Sequence, residues 1–369
     1  MKNRFLFLVG IGALLAMSSC SKDEENLVVK SGEAATLKLT LKGIDVNTRV
    51  VGTLAGEVDN TIGNVVVGVF RNDGGDVNGY ADAIENVTVS SFVSNKVKCT
   101  AGSRDIIVVA NASTNDFDQL KTATTKALFL KRVLELTDKA QSKDKLLMTG
   151  ESDNVTVIKG DENSFTVTVT RLVARVQLVS LMSSFTNSYS SAELKVDKIF
   201  LHNAMFNYSV DGTVPGSIVF RTGYDQVLPV SLLDLNLQDV ISAPYSLTGV
   251  STTSYLSNNH YFYTFPNTLA TPTKLVISGM FDPDGSAGSM TPYRVYYPID
   301  VNKDQVYTGT PPVLVPNTGV GILRNTIYSI SAKIFRPGVL DPDKPLDPAS
   351  ISLTITVTNW NNITQDNEL

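Results

Sequence analysis

Only two of the 369 residues are histidine, two are cysteine and one is tryptophan. That scarcity excludes much chemistry. His202 and His260 stand 58 residues apart, without a ligand-type partner at metal-site spacing, so each reads as a structural or surface side chain. No H-E-x-x-H, no G-x-S-x-G and no phosphate-cradling G-x-x-x-x-G-K-[ST] occurs. Gly319-Val320-Gly321 lacks the third glycine on which helix and strand close around a dinucleotide. Asp282-Pro283-Asp284-Gly285 begins like a calcium loop, but the position for the closing bidentate Glu is Tyr293, so the segment reads as a turn. No enzyme, no cofactor and no metal site is expected. With 31 Lys and Arg against 36 Asp and Glu, the chain also lacks the basic footprint of a nucleic-acid binder.

Long apolar runs are scarce as well. Residues 5–17 form one of 13, too short for a helix to cross roughly 30 Å of hydrocarbon. Lys2 and Arg4 precede it and Ser18-Ser19-Cys20 follow, the layout of a secretory signal over residues 1–19. A cysteine directly after small residues resembles a bacterial lipobox, although Met17 stands where Leu is usual. Cys20 is the expected lipid-attachment site and first mature residue. Ser21-Lys22-Asp23-Glu24-Glu25 then begins a charged tether over 20–34, similar to a surface-export signal. Losing Lys2 and Arg4 takes the net charge from −5 to −7 and leaves 350 residues, enough for two domains. Cys99 would be the last free thiol, so no intrachain disulfide can form, and its place between Val97-Lys98 and Thr100 predicts a buried strand position.

What is abundant is strand pattern. Ala35, Leu37, Leu39 and Leu41 alternate with Thr36, Lys38, Thr40 and Lys42, which puts the apolar set on one face. Continuous apolar runs at 65–70 and 106–110 predict strands covered on both faces. Alternation returns at Phe165, Val167 and Val169, at Ala174, Val176 and Leu178, and in 194–201, 275–281 and 293–299. The last strand carries Ile351, Leu353, Ile355 and Val357 between Ser352, Thr354, Thr356 and Thr358, and ends at Trp360. One stretch has helical spacing: Leu120, Ala123, Ala127, Leu130 and Leu134 predict a helix over about 116–140, whole or broken, capped by Asn115 or Asp116. Pro337, Pro342, Pro345 and Pro348 fill an extended link before the last strand, which predicts a strand set apart from the body and free to swing. Many short strands between Gly- and Pro-marked turns give a mainly β fold of antiparallel β-sandwich domains, 35–170 with a short helical insertion and 171–369.

Several of these stretches resemble the fimbrillin family of major fimbrial subunits of type V pili. They are Lys98-Cys99-Thr100-Ala101-Gly102-Ser103-Arg104 leading to Val108-Val109-Ala110-Asn111-Ala112, then Arg171-Leu172-Val173-Ala174-Arg175-Val176, then Leu323-Arg324-Asn325 with Tyr328, the proline link and the strand ending in Trp360. The stretch from about 183 to 270 carries no landmark. The resemblance implies two transthyretin-like domains and a lipoprotein held at the outer membrane by its lipid. It also implies an arginine-specific protease that removes the first strand (35–42), and a fimbrium outside the cell in which each neighbour's C-terminal strand fills the vacated groove. Here the cut would fall in Asn47-Thr48-Arg49-Val50, after Arg49 and before Val50, in a polar stretch open to cleavage. Ile351, Leu353, Ile355 and Val357 would form the donor strand. The implied partners are other fimbrial subunits, as a homopolymer with accessory tip or anchor subunits. The alternatives are a tip or anchor subunit, or a surface lipoprotein binding glycans through Tyr261-Phe262-Tyr263 or Tyr293, Tyr296 and Tyr297.

Overall fold

The computed structural model describes residues 32–43, 62–136, 145–224, 237–302, 306–308, 313–315 and 320–360. The expected lipid site Cys20 and the expected cut between Arg49 and Val50 lie outside the described residues, as does most of the tether.

The first half is built from β1 (Ala34–Gly43), β2 (Asn64–Arg71), β3 (Ala81–Ser90), β4 (Val93–Ser94), β5 (Val97–Thr100), β6 (Gly102–Ala110), β7 (Val133–Glu135), β8 (Met148–Val157) and β9 (Gly160–Arg171). Eight of them make one sheet in the order β4-β3-β2-β6-β8-β9-β1-β5, and a pairing of β1 with β4 closes it on itself. The result is a flattened barrel. β3 and β9 form its two folds, because each changes partner along its length: β9 pairs with β1 up to Val169 and with β8 at Thr170 and Arg171. One core fills it, from Leu37, Leu39 and Leu41 on one side to Val65, Val67, Val69, Ile106 and Val108 on the other. The continuous apolar runs of β2 and β6 are explained by the second face. Val66, Phe70, Ile107 and Val109 point out of the barrel into a different core, shared with the helices and the second half.

The helix expected over about 116–140 is instead two short helices and a strand. α1 (Thr114–Leu120) is capped by Ser113, whose hydroxyl accepts from the Asp116 backbone while the Asp116 carboxylate accepts from the Ser113 N–H. Thr122 and Thr124 are β-branched and break the run. Thr125 caps a second start at α2 (Lys126–Leu130). Leu134, read as helical, lies in β7. The apolar spacing was satisfied because Leu120, Ala123, Phe129 and Leu134 all enter one core from different elements.

The second half contains β10 (Ala174–Ser183), β11 (Glu193–His202), β12 (Ala204–Met205), β13 (Asn207–Ser209), β14 (Phe220–Arg221), β15 (Gln238–Thr248), β16 (His260–Thr264), β17 (Lys274–Asp282), β18 (Tyr293–Asp300), β19 (Val306–Thr308), β20 (Val313–Val315), β21 (Thr326–Ile334) and β22 (Ile351–Asn359). Two four-stranded sheets, β16-β10-β21-β22 and β15-β11-β17-β18, share a core of Val176, Leu178, Ile199, Ile277, Tyr297 and Ile330 among others. The change of sheet falls at Leu172-Val173, between β9 and β10. The halves are joined by more than this connection: β7 pairs with β13 across them, and the large core runs through both.

Candidate assembly strands and their seats

β1, the first strand among the described residues, buries one whole face. Ala35, Leu37, Leu39 and Leu41 are all 5% exposed or less, whereas Lys38 and Lys42 are exposed. Each leucine contributes about 1.5–3 kcal/mol on burial. One edge of β1 runs parallel to β9 over eight register pairs, and the other meets β5 and β4. Side chains complete the seat: Ser94 Oγ accepts the Leu39 N–H at 3.0 Å, and Asn163 Nδ2 donates to the Thr36 carbonyl at 3.0 Å.

The wall formed by β5 does not depend on β1 alone. Its outward N–H groups are taken by carboxylates of β3: Asp82 accepts from Thr100 N at 2.7 Å and Glu85 from Lys98 N at 3.2 Å. Arg104, fully buried, bonds Asp82 at 3.2 Å, Asp73 at 2.5 Å, Thr100 Oγ1 at 2.7 Å and the Ala101 carbonyl at 2.6 Å. Gly102, at φ +134°, is the only residue type that leaves room there, because a Cβ would strike Asp73 and the Arg104 guanidinium. The 98–104 landmark is thus a wall clamp, with two ionic partners for a buried cation. Cys99 is buried on β5 directly opposite Ala35. Burial, then the nearby Asp82 carboxylate, pushes its thiol up to about 11.

β22 lies on the edge of its own sheet, paired with β21 from Ile351↔Ile334 to Thr358↔Ile327 and Asn359↔Thr326. Its four apolar residues do not share one depth. Ile351 and Leu353 are buried in the domain core, Ile355 is half-buried against it, and Val357 is 47% exposed. The expectation of a last strand set apart by a swinging link is corrected here. Val339 exchanges two backbone hydrogen bonds with Tyr296, at 2.8 and 2.9 Å, and the Tyr297 hydroxyl donates to the Arg336 carbonyl. Asp343 bonds His202 Nε2 at 2.7 Å, and Leu346 is 5% exposed. Prolines keep the link out of regular structure without keeping it off the body.

The other two landmarks meet at the seam. Arg324, on the turn before β21, donates to the Arg171 carbonyl at 3.2 Å, the Thr170 carbonyl at 2.9 Å and Thr149 Oγ1 at 3.1 Å. Asn325 donates its N–H to the Val173 carbonyl and accepts from Arg171 Nη1 at 3.3 Å. Trp360 closes the same corner, its backbone N–H donating to the Asn325 carbonyl at 2.9 Å. The contact between these motifs leaves almost no trace in the sequence. The one signal was a charged pair, Arg171 and Arg175, inside a run of buried apolar residues.

The remaining candidates are absorbed by structure. His202 also bonds Thr222 Oγ1 at 2.8 Å, and His260 bonds Asp239 at 2.9 Å and the Tyr245 hydroxyl at 3.1 Å. Asp284 accepts backbone N–H groups of Ser289 and Met290, as a turn does. Among the described residues no group of three or more His, Cys, Asp or Glu side chains is placed to hold a metal ion. Of the aromatic groups considered for glycans, Tyr263 stacks on Trp360, Tyr293 packs on Phe281 and Tyr297 is fully buried. Tyr296 borders an open cleft, with Tyr224 and the Asp197–Arg294 pair.

Residues 35–201 match the family model described as "Major fimbrial subunit protein (FimA)". Over 99% of both chains, the sequence is 26% identical to major fimbrium subunit FimA type-3 of Porphyromonas gingivalis. A proposed fimbrium tip subunit of Parabacteroides distasonis, Fim1C, is 28% identical, over 54% of this chain and 56% of that one. The crystal structure of a fimbrilin (FimA) from Porphyromonas gingivalis W83 superposes with a TM-score of 0.63 at 21% identity, covering 92% of this chain and all of that one. These relatives are structural subunits rather than enzymes. The chain is thus similar to the major fimbrial subunits of the fimbrillin family, through the family model over residues 35–201 and through its relatives over nearly its whole length.

Proposed function

We propose that the chain is the stalk-forming subunit of an extracellular fimbrium, reaching the outer membrane as a lipoprotein anchored at Cys20. An arginine-specific protease cuts after Arg49, so that Val50 begins the mature chain and β1 is lost. The strand carrying Ile351, Leu353, Ile355 and Val357 then enters the vacated place in the next copy. In this reading residues 35–170 and 171–369 act as two transthyretin-like domains, one accepting and one donating.

The observation that carries the reading is the seat of β1. The first strand of the described chain inserts four alternating apolar side chains between two walls, and each wall has partners of its own. β9 continues into β8, and β5 is clamped to β3 through Asp82, Glu85 and Arg104. Removing such a strand leaves two sheet edges over an exposed core, a state that demands another strand. A strand from the next copy is a head-to-tail contact, and contacts of that kind propagate as open filaments. Full-length similarity to major subunits, against half-length similarity to a tip subunit, favours the stalk.

The test is the intact mass and N-terminal sequence of fibres taken from cells. A chain beginning at Val50 is expected, and Arg49→Ala should leave lipid-bearing monomers that start at Cys20. Fibres whose subunits still contain β1 would overturn the reading.

A further inference from the structure

Trp360 occupies a seat that the β21–β22 ladder does not explain. Its ring stacks on Tyr263 with centroids 5.7 Å apart and planes 9° from parallel. The guanidinium carbons of Arg171 and Arg175 lie 4.8 and 5.4 Å from its centroid. Its backbone N–H donates to the Asn325 carbonyl, one step beyond the Asn359–Thr326 pair, and Asn325 is itself tied to Val173 and Arg171. The seat is therefore assembled from the end of β9, the start of β10, β16 and the turn before β21. The strand is anchored at its start by Ile351 and Leu353, but in the four residues just before Trp360 it is weakly held by side chains: Thr356, Val357 and Asn359 are exposed.

We propose that Trp360 in this seat is a latch, and that the latch decides whether the last strand stays on its own body or becomes available to a second copy of the chain. The proposal rests on the strand-donation reading above. When a strand moves from one sheet edge to another, its ladder bonds are lost and regained, and its alternating apolar residues leave one core and enter another. Those terms largely cancel. Trp360 has no such compensation. Setting Leu353, Ile355 and Val357 on the places of Leu37, Leu39 and Leu41, in the same direction, carries Trp360 past Gly43, the last residue of β1. No position within the described span of β1 therefore matches that of Trp360. Its stacking and two cation–π contacts are what the strand gives up on leaving.

The test compares wild type, Trp360→Ala and Trp360→Phe as full-length chains, by amide hydrogen exchange resolved to peptides, followed by assembly after treatment with an arginine-specific protease. Trp360→Ala is expected to speed exchange of the β22 amides about ten-fold or more, the equivalent of about 1.4 kcal/mol, while β17 amides keep their rate. Trp360→Phe, which retains a ring on Tyr263, should fall between, and assembly should accelerate in the same order. Unchanged β22 exchange in Trp360→Ala overturns the latch. So does faster exchange spread equally over β10, β17 and β22, which would make Trp360 a general core residue. If Trp360→Ala does not fold, Trp360→Phe decides by the same two criteria. Faster β22 exchange with an unaltered assembly rate upholds the latch and overturns donation of this strand.

Discussion

Lys126 illustrates how individual side chains stabilise the barrel. Its ammonium group bonds Asp105 at 3.0 Å, Asp153 at 2.6 Å and also Glu151. Burial opposes its charge, but the three carboxylates outweigh it and push its pKa up. For Asp105 burial alone would raise the pKa. Hydrogen bonds from the Asn154 backbone, Lys126 and Asn72 outweigh burial and hold it below the usual carboxylate range. A depressed folded-state pKa contributes stability above the unfolded-state value of about 4, and that contribution disappears as pH falls through the folded value. Asp105→Asn should therefore lower stability to urea at pH 6 and lose less than wild type between pH 4 and pH 2.5. Parallel pH profiles for the two proteins would mean that Asp105 does not carry acid sensitivity. Val357 supplies a second residue-scale test. It is 47% exposed in the monomer, so Val357→Asp should change monomer stability by no more than about 0.5 kcal/mol. Inside a neighbour's groove the same carboxylate would be buried unpaired, at a cost of several kcal/mol. Fibre formation should stop while the monomer melts normally. Normal fibres would show that Val357 is not buried in the subunit contact. Ile355→Asp is a weaker choice, because Ile355 already packs against its own domain core.

At the scale of elements, β1 and β5 form a testable pair. Cys99 is shielded by β1 and held protonated by burial, so a thiol reagent at pH 8 should not modify the intact precursor. Removing β1 uncovers Ala35's place opposite Cys99, and a strand arriving from a neighbour covers it again. Labelling is expected to be low in the precursor, high in trimmed monomers and low in fibres. A thiol that reacts equally in all three states would show that the groove beside β5 is not the site of exchange. Replacing Arg104 should blur this pattern, because β5 would lose the clamp that keeps its wall in place without β1.

At the scale of the whole molecule, the two halves are not beads on a string. One core runs from Phe70 and Ile107 in the barrel to Ile277 and Ile330 in the second half. Arg324 fastens the halves through the carbonyls of Thr170 and Arg171 and the hydroxyl of Thr149. Its burial lowers its pKa, the mark of a guanidinium held by neutral acceptors instead of carboxylates. Arg324→Met should cost about 1–3 kcal/mol for each buried acceptor left unpaired. It should also split a single cooperative unfolding transition into two, read by calorimetry. A loss below about 0.5 kcal/mol, the range of ordinary surface changes, would show that the seam does not rely on this residue. If the last strand is donated as proposed, tension along a fibre would pass through this seam in every subunit.

The period-two alternations at 35–42, 165–169 and 351–357 were legible because a strand's facing depends only on local backbone geometry. So were the doubly covered runs at 65–70 and 106–110. The helix over 116–140 was misread because three- and four-residue spacing also arises when separate elements feed one core. The depth gradient along the last strand could not be read, since Val357 and Ile351 look alike in sequence and differ only in what lies over them. Nor could the fastening of the proline link, because proline determines what a segment's backbone cannot do and leaves open what its side chains touch. Above all, Arg171, Arg175, Asn325 and Trp360 stand up to 189 positions apart, and no periodicity links them. Local chemistry specified the strands of this protein. Their order, the closure of the barrel and the seat of its only tryptophan were decided by packing between residues far apart in the chain, where the burial of one side chain depends on all the others that cover it.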